Sequence, residues 1–240
     1  MANALKQRPG KPEIVAEVST KVSSPTGRGA QSEVGRKTKQ AIEAACKALL
    51  AAEAELTEMD RVTGDGDLGT SMERAARAVQ DAVGSYPLDD VPATIRAIGH
   101  TLRRELGGSS GPLYGVLFLR CGGVMEKSGA MGLAQWAEAL DQGCRAISEL
   151  GGAKPGDRTM LDALDPFVKA LRNGGGGKAS GKAILAAVEA AERGVEATAR
   201  MKPRLGRSSY LGDRVLGYPD PGAKAVVVWL RAASHTLFAR

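Results

Sequence analysis

Met59-Asp60-Arg61-Val62-Thr63-Gly64-Asp65-Gly66-Asp67-Leu68-Gly69-Thr70-Ser71-Met72-Glu73 sets the punctuation for the whole chain. An acidic, glycine-broken turn runs straight into Thr70-x-x-Glu73, the pattern of a capping box, in which Thr70 accepts from the amide three residues on and Glu73 reaches back. The spacing predicts a helix over 70–84, and the Ala/Leu-rich run before the turn predicts another over 36–58. The same alternation continues outward, with apolar residues at helical spacing over 90–106, 111–127, 132–150, 159–173, 180–201 and 221–238. Gly107-Gly108, Gly151-Gly152 and the glycines at 174–177 stop three of these segments. Asp220-Pro221 starts the last one, an N-cap acid before a proline whose missing N–H costs nothing at the first helical position. Only Val226–Leu230 hints at a strand, and it lies on a helical pattern. The expected class is all-α, with eight helices.

Lys and Arg number 33 against 27 Asp and Glu, a net charge of +6. Residues 1–40 hold eight basic and three acidic side chains, so nearly all of the excess lies there and the remainder is close to neutral. Aromatic residues make up 4%, too few to build base-stacking platforms, which argues against nucleic-acid recognition. The run 225–230 is the longest strongly apolar one and is far short of a membrane span. No secretory signal pattern opens the chain, so the expectation is a cytoplasmic protein with no membrane partner. Cys46, Cys121 and Cys144 form no CxxC pair and fit reduced thiols in helices. His100 and His235 lie far apart and read as ordinary polar residues. Residues 1–35, rich in Lys, Pro, Ser and Gly, read as a flexible tail or linker before a domain over 36–240.

The chemistry concentrates at the opening stretch. Asp60, Asp65 and Asp67 offer hard oxygen donors beside a helix start whose free amides face anions, a combination suited to Mg²⁺ shared with phosphates. An Asp/Gly surface turn without a ligand is the alternative. An EF-hand beginning at Asp65 fails at Gly69, Thr70 and Ala76. Gly107-Gly108-Ser109-Ser110-Gly111-Pro112 is a second candidate phosphate loop, or a serine-capped helix junction. The basic stretch from Lys202 to Arg214, continuing to Ala223, forms a loop of about 20 residues, long for a compact domain; it suits phosphate charge or is a solvated loop. Gly176-Gly177-Lys178-Ala179-Ser180-Gly181-Lys182 has the spacing of a nucleotide-binding P-loop but is followed by Ala183 instead of Ser or Thr, and no strand precedes it. It reads as a flexible connection.

Four motifs in order, Gly64-Asp65-Gly66-Asp67-Leu68-Gly69-Thr70, Gly108-Ser109-Ser110-Gly111-Pro112-Leu113-Tyr114-Gly115, Gly156-Asp157-Arg158-Thr159-Met160-Leu161-Asp162-Ala163-Leu164, and Gly206-Arg207-Ser208-Ser209-Tyr210-Leu211-Gly212 with Asp220-Pro221-Gly222-Ala223, resemble the DhaL-type nucleotide-binding domain of dihydroxyacetone kinases. The resemblance implies a barrel of eight antiparallel helices with ATP or ADP and two Mg²⁺ ions at one end. It assigns Asp60, Asp65 and Asp67 to metal, and Leu68, Gly69, Thr70, Ser71, Ser109 and Ser110 to phosphates. Gly151 and Met160 would border adenine, while Arg207, Asp220, Pro221 and Gly222 would close the site. Many family members carry His where Leu68 stands, which removes one polar contact. The resemblance also implies a DhaK-type partner that holds a short-chain ketose, with no catalytic base on this chain. Two further readings remain open: a phosphotransferase-system subunit whose permanently bound ADP is rephosphorylated by a phosphocarrier protein, and a non-catalytic ADP-binding regulatory module.

Overall fold

The computed structural model describes residues 32–129, 132–174 and 181–238. These residues form α1 (Glu33–Ala51), α2 (Glu53–Thr63), α3 (Leu68–Ala82), α4 (Val91–Glu105), α5 (Ser110–Ser128), α6 (Leu133–Gly151), α7 (Leu161–Gly174), α8 (Gly181–Thr198) and α9 (Pro221–Phe238). Among the described residues there is no strand, and Val226–Leu230 lies within α9. The expected tail lies mostly outside the described residues, as does most of the 176–182 connection.

Local chemistry explains the boundaries. Ser32 caps α1 by accepting from Gly35 N at 3.1 Å, three residues ahead of the expected start. The buried Gly35, Thr38, Ala41, Ile42 and Cys46 make one face of that helix. Asp90 caps α4 through Ala93 N at 2.9 Å, with Pro92 in the first turn. Gly129 and Gly152 follow α5 and α6 in the left-handed region, with φ of 63° and 74°, where a Cβ would be strained. Asp220 caps α9 as expected, its Oδ2 accepting from Ala223 N at 2.8 Å.

The single helix expected over 36–58 is two. Ala52 adopts φ −92° and ψ 0°, and its N–H bonds back to Ala48 O and Leu49 O before α2 resumes at Glu53. Both pieces pack against α3 and α9, so together they occupy one position in the fold. From there each helix packs on the next, α3 through α9, and α9 returns to α1. The ring therefore has eight staves, and the short connections between most neighbours run them antiparallel. Leu56, Leu117, Leu161, Leu164, Leu171 and Val226 are fully or almost fully buried inside it. A cavity of about 300 Å³ lies among Ile95, Phe118, Trp136, Leu140, Phe167 and Trp229. No described helix is long and apolar enough to cross a membrane. The three thiols lie on α1, α5 and α6, with Cys46 and Cys121 buried and Cys144 half-buried.

Candidate functional site

Four helix starts and two helix ends converge around a second cavity, of about 500 Å³. Asp60, Thr63 and Leu68 line it from the α2–α3 turn, Ser109 and Ser110 from the start of α5, Gly151 from the end of α6, and Met160 just before α7. Arg207, Asp220, Pro221 and Gly222 complete the wall. These are ten of the sequence-derived site residues together with Thr63. Gly69, Thr70 and Ser71 lie in the first turn of α3 without lining the cavity, and Asp65 and Asp67 adjoin it through Asp60.

The acidic turn is built around Asp60, which sits on the buried side of α2 and accepts from Leu68 N at 3.1 Å. Burial holds its carboxyl above the ordinary carboxylate range, with the charges of Asp65 and Asp67 adding to the effect and the Leu68 and Asp67 amides opposing it. Oxygens of Asp60, Asp65 and Asp67 all lie within 4.8 Å of one another. This donor set fits a divalent hard cation: one buried and two exposed carboxylates gather charge on one side and leave the other open. A Cβ at Gly64 would collide with the Asp60 carboxylate and displace it. Gly66 turns the chain at φ 78°.

The α3 start differs from the expected capping box. The helix begins at Leu68, not Thr70, and Asp67 is its N-cap residue. Thr70 Oγ1 donates back to Asp67 O at 2.9 Å, and Glu73 pairs with Arg77 at 2.7 Å instead of reaching back. The cause is Asp60, whose carboxylate fixes the Leu68 amide and winds the helix two residues early. Gly69 is buried against α2, where a Cβ would collide with Thr57 Oγ1 and the Glu53 carbonyl and lie 2.7 Å from Thr57 N. Its bareness thus serves helix packing, which holds the α3 amides close to the carboxylates.

Part of the cavity wall is apolar. Met160 is buried, and Leu113, Ile147 and Leu150 line the cavity beside it. The long basic loop is partly ordered into 3-10 turns over Arg207–Val215, broken at Gly212 with φ 56°. Its periodicity is too short for the helical pattern to detect. The Arg207 guanidinium contacts the Asp65 carboxylate. Arg204 Nη1 pairs with Asp157 Oδ1 at 3.0 Å, and Lys202 Nζ with Asp213 Oδ2 at 3.2 Å, so the loop is tied to the 153–160 turn and to itself.

Sequence reasoning missed the residues that shape that turn. Asp162 accepts from Gly156 N and from Thr159 N, the latter at 2.8 Å, and Asp157 accepts from Lys154 N at 2.8 Å. Arg158 is buried within the cavity wall at φ 63° and its Nη2 donates to Tyr218 O at 2.9 Å. Its Nη1 lies 3.6 Å from Asp220 Oδ1. Burial pushes the Asp220 carboxyl up to about 6, partly offset by Ala223 N and by Arg158. Asp157, Arg158 and Asp162 stand in a motif quoted above, yet an arginine in a Gly-rich turn normally faces water. His100 and His235 are exposed and lie outside the cavity lining, as expected of ordinary polar residues.

Fold and site together define a helical barrel with a cavity lined by helix starts and joined, through Asp60, to a carboxylate cluster whose donor set fits a divalent cation. The DAK2 domain family model matches residues 62–235, and the chain belongs to that family, the DhaL type. It is 34% identical over 188 residues to the PEP-dependent dihydroxyacetone kinase, ADP-binding subunit DhaL, of Escherichia coli, covering 78% of this chain and 90% of that one. It is 39% identical over 211 residues to a putative 3,4-dihydroxy-2-butanone kinase of Solanum lycopersicum, covering 85% of this chain and 35% of the relative. Triokinase/FMN cyclase of Homo sapiens is 38% identical, covering 89% of this chain and 37% of the relative. The crystal structure of dihydroxyacetone kinase from C. freundii with AMP-PNP and Mg²⁺ superposes with a TM-score of 0.70 at 29% identity, over 94% of this chain and 38% of that one. The chain thus spans little more than a third of several kinases it resembles.

Proposed function

We propose that this chain is the nucleotide-binding subunit or domain of a dihydroxyacetone-type kinase, presenting Mg·ATP to a short-chain ketose held by a DhaK-type partner. The observation that carries the reading is a cluster of three carboxylates joined through Asp60 to a 500 Å³ cavity that the starts of α3 and α5 and the apolar Leu113, Ile147 and Met160 also line. Asp60, Asp65 and Asp67 would hold Mg²⁺, two ions in the full reading. The amides at the starts of α3 and α5, with the hydroxyls of Ser109 and Ser110, would receive the phosphates. Gly151 and Met160 would border the base, and Arg207 would face the phosphates from the loop. Bound Mg²⁺ supplies neutralisation of charge on the transferring phosphoryl group. The residues of this chain position and screen, and the acceptor comes from the partner. A cytoplasmic location goes with this reading.

Isothermal titration with Mg·ATP tests it. Replacing Asp65 or Asp67 with Ala should abolish Mg²⁺-dependent nucleotide binding while helix content by circular dichroism stays the same, because both residues lie outside the helices. Unchanged affinity would show the assignment to be wrong. The match over 90% of an ADP-binding subunit favours a second reading, with ADP as a resident coenzyme recharged by a phosphocarrier protein. ADP retained through dialysis, with no ATP-driven turnover beside a DhaK-type partner, would select it.

A further inference from the structure

The residues assigned to metal and to phosphates stand on two separately packed helix pairs. α2 and α3 are joined by the Asp60–Leu68 hydrogen bond and by Gly69, whose missing Cβ lets the Glu53 carbonyl approach. This pair carries the carboxylates. α4 and α5 close on each other at Gly111, Gly115 and Gly122, where a Cβ would collide with Leu106 O, Arg103 Cβ and Arg96 Cγ in turn. This second pair carries Ser109 and Ser110. Ser109 is the N-cap residue of α5 and its side chain makes no capping bond, so the Ser110 and Gly111 amides are left for another acceptor.

Between the two pairs the packing is incomplete. A cavity of about 110 Å³ is lined by Met72 and Val79 of α3, by Leu102 of α4 and Leu106 just past it, and by Tyr114 of α5. Close packing holds neighbouring helices in one register, and here it is interrupted. Arg74 of α3 bridges this seam at the end near the serines. Its Nε donates at 3.0 Å to Glu105 O, the last carbonyl of α4, which has no donor within its own helix. The guanidinium continues beside the serine loop, since a Cβ at Gly107 would stand 3.6 Å from Nη2. Arg74 is exposed, forms no ion pair among the described residues and does not line the 500 Å³ cavity, so its partner is the loop. We propose that Arg74 is a nucleotide-positioning residue that, by holding the end of α4, sets the serine loop at the distance from the carboxylate turn that one diphosphate spans. The inference rests on the nucleotide reading of the cavity.

The test uses the full chain with Arg74→Met, which keeps the stem and removes the donor, and Arg74→Lys, which keeps a cationic donor. In Arg74→Met, Mg·ADP affinity by calorimetry should fall about tenfold, the scale of one hydrogen bond from a charged donor. Mn²⁺ alone, which needs only the α2–α3 pair, should bind within about twofold of the unaltered chain. The loss for Mg·ADP should persist in about 0.5 M KCl, where the field of an exposed charge is screened. Amide hydrogen exchange over 106–111 in the ligand-free protein should quicken about tenfold, and Arg74→Lys should restore the slow exchange and most of the affinity. A loss that vanishes in salt would overturn the inference, because Arg74 would then act as a distant attracting charge. Unchanged exchange over 106–111, or equal losses for Mn²⁺ and Mg·ADP, would also overturn it. Unchanged Mg·ADP affinity in Arg74→Met would do so while leaving the nucleotide reading intact, and failure of the unaltered chain to bind Mg·ADP would remove both.

Discussion

Neutralising Asp60 should strengthen the metal-free protein and disable the metal-loaded one. The three carboxylates have oxygens within 4.8 Å of one another, and one of them is buried. At that separation two unit charges repel by about 1 kcal/mol in water and about 3 kcal/mol at an effective dielectric of 20. Asp65 and Asp67 are open to solvent, so the lower figure applies to each pair with Asp60. Asp60→Asn removes two such pairs, keeps an oxygen for the Leu68 amide and weakens that bond by taking away its charge. A net gain of about 1 kcal/mol follows, or about 2–4 °C in melting temperature for a domain of this size. Thermal melts in EDTA measure this gain. Repeated with saturating Mg·ADP, the melts should reverse the order, since the unaltered chain gains stability from ligand by mass action and the variant does not. A variant that melts lower in EDTA and gains as much from Mg·ADP would refute the idea of a charge cluster held for a cation.

Two other outcomes follow from the geometry. Gly69→Ala must push α3 off α2, at about 1–3 kcal/mol typical of overpacking, and it should also weaken Mg²⁺ binding because it moves the Leu68 amide from Asp60; chemical denaturation together with metal titration checks both. Asp220 has its carboxyl raised to about 6, above the ordinary value near 4, so its protonated form favours the fold. That contribution is fully present below about pH 4 and lost as pH rises through 6, up to about 2–3 kcal/mol. Asp220→Asn should therefore hold its stability better than the unaltered chain between pH 4 and 7 in urea titrations, and parallel pH profiles would contradict this.

The helices were legible in the sequence because glycines and Asp220 mark their ends by strictly local chemistry, whereas Ser32, the cap of α1, fell within the expected tail. The break at Ala52 was not: the run around it is Ala/Leu-rich and carries no Gly or Pro, and the division is made by packing on α3 and α9. The register of α3 was lost for a related reason. Thr70 and Glu73 form a valid cap pattern, but a carboxylate eight residues upstream overrides it. The carboxylates and the serine loop stood out by residue type, and the structure brings Asp60, Ser109 and Ser110 to one cavity. Arg158 was not, since nothing in a run of Gly, Asp and Thr tells that its arginine turns inward.

The ring closes between α9 and α1, the first and last staves. Every other seam joins helices that are neighbours in sequence, so most of the barrel forms from local contacts, and the final seam bears the entropy of closing a loop almost as long as the domain. The same last helix supplies Asp220, Pro221 and Gly222 to the pocket wall. Until α9 docks, one wall of the pocket is missing, and a ligand that bridges α9 to the earlier helices acts as a latch on that long-range seam.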